Sequence, residues 1–175
     1  MLTLSASHLA AVGALVLLSA YAASVDLRFM IIPDAVNVVI FATGFFCSIM
    51  LGTVTPAAAL LGTLLGAGLL LAVRTAFRAR HGYDGLGLGD VKFMGAAGPW
   101  IGADGIPVVL LVACGTALSY VALRRAADPR FDGQAPLAFA PFLAIGVTFA
   151  AATQILTGAT WLDILDAFLR DSPIH

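Results

Sequence analysis

Two aspartates are the residues here most suited to chemistry. Asp90 closes the run Gly85-Leu86-Gly87-Leu88-Gly89-Asp90 and is followed by Val91-Lys92; Asp26 ends an apolar stretch much earlier in the chain. An acid at the edge of a membrane segment is costly to place, so its presence there signals function. Two carboxylates brought close together cannot both ionise and share a proton. The ionised member then activates water while the protonated one hydrogen-bonds a carbonyl. Glycines at every second position let backbone approach backbone, or let an extended peptide approach the chain. The chemistry implied is hydrolysis of a peptide at a membrane surface.

The elements that must position this pair follow from composition. Of 175 residues, 61% are hydrophobic and 11% charged, and mean hydropathy is +1.00. Ordinary soluble domains are about 45–50% apolar and about 25% charged, so the chain is expected to be an all-α polytopic protein whose principal partner is the lipid bilayer. A net charge of -1 argues against nucleic acid as a partner. Cys47 and Cys114 form no Cys-x-x-Cys pair, so neither a zinc site nor a disulfide framework is expected, and no metal or cofactor is called for.

Crossing the hydrocarbon core takes roughly 20 apolar residues. The stretches 6–25, 35–53, 56–74, 105–123 and 136–157 meet or approach this. A further stretch, 91–102, is short and holds Gly98-Pro99, which predicts an interrupted fourth helix. The first stretch ends in small residues but has no Lys or Arg before it, so it reads as a retained helix and not a secretory signal. If all six cross with the N-terminus outside, Arg28, Arg74, Arg78, Arg80, Lys92, Arg124, Arg125 and Arg130 are cytoplasmic and only Arg170 is outside. Leaving 91–102 uncrossed spoils that bias, so the positive-inside rule selects six spans and two non-cytoplasmic termini. The whole chain, 1–175, is then one membrane-embedded domain. Its cytoplasmic connections are 26–34, 74–92 and 124–135, of which the glycine-rich 74–89 is expected to be mobile. A last helix over 160–170 has Trp161, Ile164, Leu165 and Phe168 at helical spacing, with Thr160 as its cap, and is expected to lie in the interface.

Charge bias alone therefore places Asp26 and Asp90 at one membrane face. Among the other acids, Asp34 after Pro33 reads as a turn or helix cap, and Asp84 as a solvated loop residue. Lys92 either snorkels or tunes Asp90 or meets an acidic group on a substrate.

The motifs Asp26-Leu27-Arg28 with Ile32-Pro33-Asp34, then Gly87-Leu88-Gly89-Asp90-Val91-Lys92, then Phe139-Ala140-Pro141-Phe142-Leu143 together resemble the type IV prepilin peptidases, membrane aspartic peptidases of the Gly-x-Gly-Asp type. The resemblance spans about 20–157 in the family's order. It implies that Asp26 and Asp90 are the catalytic dyad and that Gly87, Gly89, Lys92, Pro33 and Pro141 shape the site or bind substrate. It also implies a prepilin or prepilin-like substrate, cut after a glycine between a basic leader and an apolar helix, at the cytoplasmic face of the inner membrane. Ala138 and Ala140 stand where the family's third motif has Pro and Gly. Larger members carry an N-terminal domain with two Cys-x-x-Cys pairs and also methylate the new N-terminus. This sequence shows neither, so it resembles the minimal members that serve tight-adherence pili, and methyl transfer is not expected. The competing readings are a small ion- or proton-coupled transporter and a non-catalytic assembly subunit.

Overall fold

A computed structural model describes residues 6–128 and 137–170. All regular elements among these residues are helices: α1 (Ala6–Phe29), α2 (Asp34–Leu51), α3 (Pro56–His81), α4 (Leu88–Ile101), α5 (Ile106–Ala127), α6 (Ala140–Thr157) and α7 (Trp161–Arg170). Five of them, α1, α2, α3, α5 and α6, are long and apolar enough to cross a membrane. Their outward faces carry large apolar side chains such as Leu17, Leu64 and Leu111, the pattern of helices solvated by lipid.

The sixth, α4, is the axis of the bundle. Its residues from Asp90 to Ile101 are buried, Lys92 excepted, and it packs chiefly against α3, then α2 and α6. Helices in lipid gain little from hydrophobic burial against one another, so close approach decides their packing. The seam between α3 and α4 is lined with glycine for this purpose. A Cβ at Gly98 would lie 2.2 Å from Thr63 N, one at Gly62 2.8 Å from Gly98 O, and one at Gly66 3.1 Å from Met94 O. On the α2 side, Gly44 leaves room for the Trp100 ring, 2.5 Å from where its Cβ would stand. The Trp100 indole N–H donates to Ile40 O at 2.8 Å.

These contacts fix direction. Gly62 meets Gly98, Gly66 meets Met94, and Arg74 meets Leu86, so α3 and α4 are antiparallel. Ile32 meets Gly89 and Ile40 meets Trp100, so α2 and α4 run the same way. One end of the bundle therefore gathers the α1–α2 turn, the α3–α4 turn and the start of α6. The other gathers residues 52–55, 102–105 and 158–160.

Several boundaries differ from expectation. α1 runs on past Asp26 to Phe29, and its last turn closes where Met30 takes a positive φ of 54°. α3 continues through Arg74 to His81, so most of the segment expected to be a mobile loop is helix. α5 likewise absorbs Arg124 and Arg125, and α6 starts at Ala140. The fourth helix is not interrupted: it begins before Asp90 and runs unbroken through Gly98-Pro99. Pro99 removes only its own N–H, and Gly98 is the point of closest approach to α3, so the dipeptide serves packing and leaves the helix intact. Arg130 and the start of the expected sixth span at 136 lie outside the described residues.

The far end is tied by Asp104. Its Oδ2 accepts from the Trp161 backbone N–H at 2.9 Å and from Gln154 Nε2 at 3.4 Å, joining α7 to α6. Thr160 and Asp163 form a reciprocal cap at the start of α7. Thr160 N–H donates to Asp163 Oδ2 at 3.0 Å, and Asp163 N–H donates to Thr160 Oγ1 at 3.2 Å. The Thr160 hydroxyl, then its backbone N–H, hold the Asp163 carboxyl below its ordinary range. Leu162, Leu165, Phe168 and Leu169 remain exposed.

Candidate active site

Asp90 is the third residue of α4, whose N-cap is Gly87 in extended conformation. An acid in the first turn faces the free N–H groups and the positive end of the helix dipole. Its carboxylate folds back over the cap: a Cβ on Gly87 would stand 2.8 Å from Asp90 Oδ2. Only glycine leaves that space. Gly89 serves a second approach, since its Cβ would lie 3.3 Å from Ile32 Cβ, Cγ1 and N. The glycine run thus packs the α1–α2 turn against the start of α4. Of the two uses expected of these glycines, close approach within the protein is seen at Gly89 and Gly87, and both glycines also line the cleft.

Asp26 lies in the last turn of α1, buried like Asp90 at 7% exposure. Its Oδ2 accepts the Ala140 backbone N–H at 3.2 Å. Ala140 opens α6, with Pro141 at its next position. This N–H is one of those a helix start cannot satisfy internally, and the α6 dipole presents its positive end to the carboxylate. The Phe139-Ala140-Pro141-Phe142 motif is therefore where α6 begins and holds Asp26.

Both carboxylates line one cleft of about 230 Å³ at the end of the bundle, together with Met30, Gly87, Gly89 and Lys92. Asp90 sits in the electrostatic field of Asp26. The cleft is smaller than the ~300–1,000 Å³ of a drug-sized pocket, a scale suited to a few backbone atoms. A larger cavity of about 320 Å³ lies at the far end, beside Asp104 and Gln154, away from the paired acids. No three His, Cys, Asp or Glu side chains among the described residues group as metal ligands would.

The remaining expected site residues separate by role. Lys92 lines the cleft but turns from Asp90: its Nζ pairs with Asp34 Oδ1 at 2.7 Å. Residues two apart on a helix do not face each other, so Lys92 reaches across to α2. Asp34 is thus no cap; the N-cap of α2 is Pro33. Pro33 and Pro141 do not line the cleft and act through the helix starts they set. The Pro33 carbonyl accepts from Val36 N–H at 3.0 Å. Asp84 is also not simply solvated, because Arg74 and Arg78 both pair with it. The sequence reading missed the Asp34–Lys92 pair, the Ala140 N–H and the Arg74 contacts. The first joins residues 58 positions apart, with no local spacing to announce it. The other two likewise depend on tertiary approach alone.

The site and fold define an apolar helical bundle with two buried carboxylates lining one cleft at its end. Comparison with known proteins narrows this. A sequence model of the type IV leader peptidase family matches residues 13–122. The prepilin leader peptidase/N-methyltransferase of Burkholderia pseudomallei (strain 1026b) is 34% identical over 145 residues, covering 81% of this chain and 45% of the relative. The protein of the same name from Dickeya chrysanthemi is 30% identical over 152 residues, covering 86% and 53%. That from Escherichia coli (strain K12) is 29% identical over 122 residues, covering 70% and 53%. The chain belongs to the type IV leader peptidase family. It spans about half the length of these relatives. No solved structure matches it significantly.

Proposed function

We propose that this protein hydrolyses the peptide bond between the leader and the mature part of prepilins or prepilin-like proteins, with Asp26 and Asp90 as the catalytic pair. The observation that carries this reading is the cleft in which two buried carboxylates, delivered by separate helices, meet at the end of an apolar bundle. The family and the printed activity of its relatives supply the substrate class, and the proposal covers the peptidase step alone.

The pair holds one proton between its two carboxyls. The ionised carboxylate takes a proton from water as the water oxygen bonds to the scissile carbonyl carbon. The protonated carboxyl gives its proton to the carbonyl oxygen, leaving a neutral gem-diol. On collapse, the C–N bond breaks as the leaving nitrogen takes the proton gained from water, and one gem-diol hydroxyl returns its proton to the other carboxylate, so the pair again holds one proton. Gly87 and Gly89 shape the turn that holds Asp90, and the Asp34–Lys92 pair borders the cleft. Pro33 and Pro141 fix the starts of α2 and α6.

The membrane arrangement we propose has six crossings, α1 to α6, with the cleft at the cytoplasmic face of the inner membrane and α7 in the opposite interface. Support comes from charge. Arg28, Arg74, Arg78, Arg80, Lys92, Arg124 and Arg125 all belong to the cleft end, whereas Arg170 belongs to the other.

The test is a prepilin co-expressed with wild type, Asp26→Asn or Asp90→Asn, read as a size shift on a gel. Each substitution is expected to lower processing by on the order of 10²–10⁴-fold, the scale of a lost general acid or base, with normal levels of folded protein. An Asp90→Asn variant that processes normally would refute the assignment. A transporter or assembly subunit would leave the prepilin uncut even with the wild-type chain.

A further inference from the structure

Arg74 has no part in the chemistry above, yet its guanidinium is held close to the site. Its side chain is only 17% exposed, and a guanidinium so enclosed needs its donors paired. It donates to the Leu86 carbonyl and to the Asp84 carboxylate, two acceptors in the short turn between α3 and α4. Phe77, one helical turn further along α3, holds the same turn from another side. A Cβ on Gly85 would stand 2.5 Å from the Phe77 ring. Arg74 and Phe77 thus clasp residues 84–86 onto α3.

That clasp leads directly to Asp90. Leu86 precedes Gly87, the N-cap of α4, and the Asp90 carboxylate rests over Gly87. A shift of Leu86 carries the cap with it and changes the space around the carboxylate. Resting on the peptidase reading, we propose that Arg74 is a positioning residue for Asp90, acting through the Leu86 carbonyl and the Asp84 carboxylate. The competing account is that Arg74 supplies only a positive charge at the cytoplasmic end of α3. Lysine would serve that account as well as arginine. It would not serve the clasp, because a single ammonium lacks the planar fork that spans both acceptors.

The experiment uses the full chain in lipid vesicles with a prepilin-type peptide, in wild type, Arg74→Lys, Arg74→Gln and Asp84→Asn. Steady-state kinetics and backbone amide hydrogen exchange are measured on each. Arg74→Gln is expected to lower kcat about tenfold or more with KM within about twofold, the signature of a misplaced reacting group. Exchange over residues 85–90 should rise while α2 and α6 exchange as in wild type, which separates a loosened turn from global unfolding. Arg74→Lys should fall between the two, and Asp84→Asn, which keeps the Leu86 bond, should be milder than Arg74→Gln. In a further variant, Arg74→Ala, millimolar guanidinium should restore part of the activity. Wild-type kcat in Arg74→Lys, or unaltered exchange in Arg74→Gln, would overturn the proposal. If wild type cleaves no prepilin, the peptidase reading fails, and the exchange data alone decide whether Arg74 holds the turn.

Discussion

At the scale of single residues, the site depends as much on missing side chains as on present ones. Gly87 is the clearest case, because a methyl group there would stand 2.8 Å from Asp90 Oδ2. Gly87→Ala is therefore expected to reduce kcat by about tenfold or more while leaving the level of folded protein unchanged. Gly13→Ala, whose Cβ would meet nothing within 4 Å, is the control and should process prepilin as wild type does; equal rates in the two variants would contradict this account. Asp26 and Asp90 were legible in the sequence because an acid in an apolar chain is conspicuous. The role of the glycines was only half legible. Their spacing suggested close approach either of the chain to itself or of a peptide to the chain, and the structure supplies the partners of the first kind: the Asp90 carboxylate at Gly87, Ile32 at Gly89 and Phe77 at Gly85. The partner of Lys92 was not legible, because Asp34 is reached only through the packing of α2 on α4.

At the scale of elements, length and hydropathy located the helices, while packing set their ends. The six expected spans and the last short helix all correspond to helices, but α3 runs on to His81 and α4 starts before Asp90. Hydropathy could not see these extensions, because charged residues and glycine interrupt their apolar ones and contacts such as Arg74 with Asp84 hold them. The Gly-Pro pair misled in the opposite sense, reading as a break where it is a contact. The α3–α4 seam had a signal of its own in Gly62-x-x-x-Gly66 and Gly98-x-x-x-Gly102, the small-residue spacing of close helix pairs in membranes. Single interhelical hydrogen bonds in membranes average about 0.6 kcal/mol. Overpacking a tight contact costs about 1–3 kcal/mol, so the seam outweighs a bond such as Trp100 to Ile40. Gly98→Ala should accordingly lower the thermal midpoint in detergent, because its Cβ would stand 2.2 Å from backbone. Gly68→Ala, on α3 but with open space around it, should leave the midpoint unchanged or raise it, alanine being the better helix former by up to about 1 kcal/mol. The same loss at both positions would count against glycine packing as the cause.

At the scale of the whole molecule, the charged end and the cleft coincide. In the orientation proposed above, the cations that set the direction of insertion lie at the same end as the cleft, so one charge pattern would select orientation and site exposure together. Whether α4 crosses is tested most directly by the connection after it. In the full chain, with Cys47 and Cys114 replaced by alanine, Ala103→Cys should react with a membrane-impermeant maleimide from the non-cytoplasmic side. Thr53→Cys should do the same, and Tyr83→Cys should react only after the membrane is opened. Labelling of Ala103→Cys with the pattern of Tyr83→Cys would mean five crossings. The enclosure of α4 also bears on how the protein is made. Fourteen residues at ~1.5 Å each reach only ~21 Å, short of the ~30 Å hydrocarbon core. A segment of that length, with an acid in its first turn and several glycines, is poorly suited to partition from the translocon into lipid by its own greasiness. In the six-crossing arrangement proposed above, its entry would depend on its neighbours: α3 offers a glycine track, α2 a backbone acceptor for Trp100, and α6 closes the remaining side. In that arrangement the cleft around Asp90 would be completed only once α6, which brings the Ala140 N–H to Asp26, has joined the bundle.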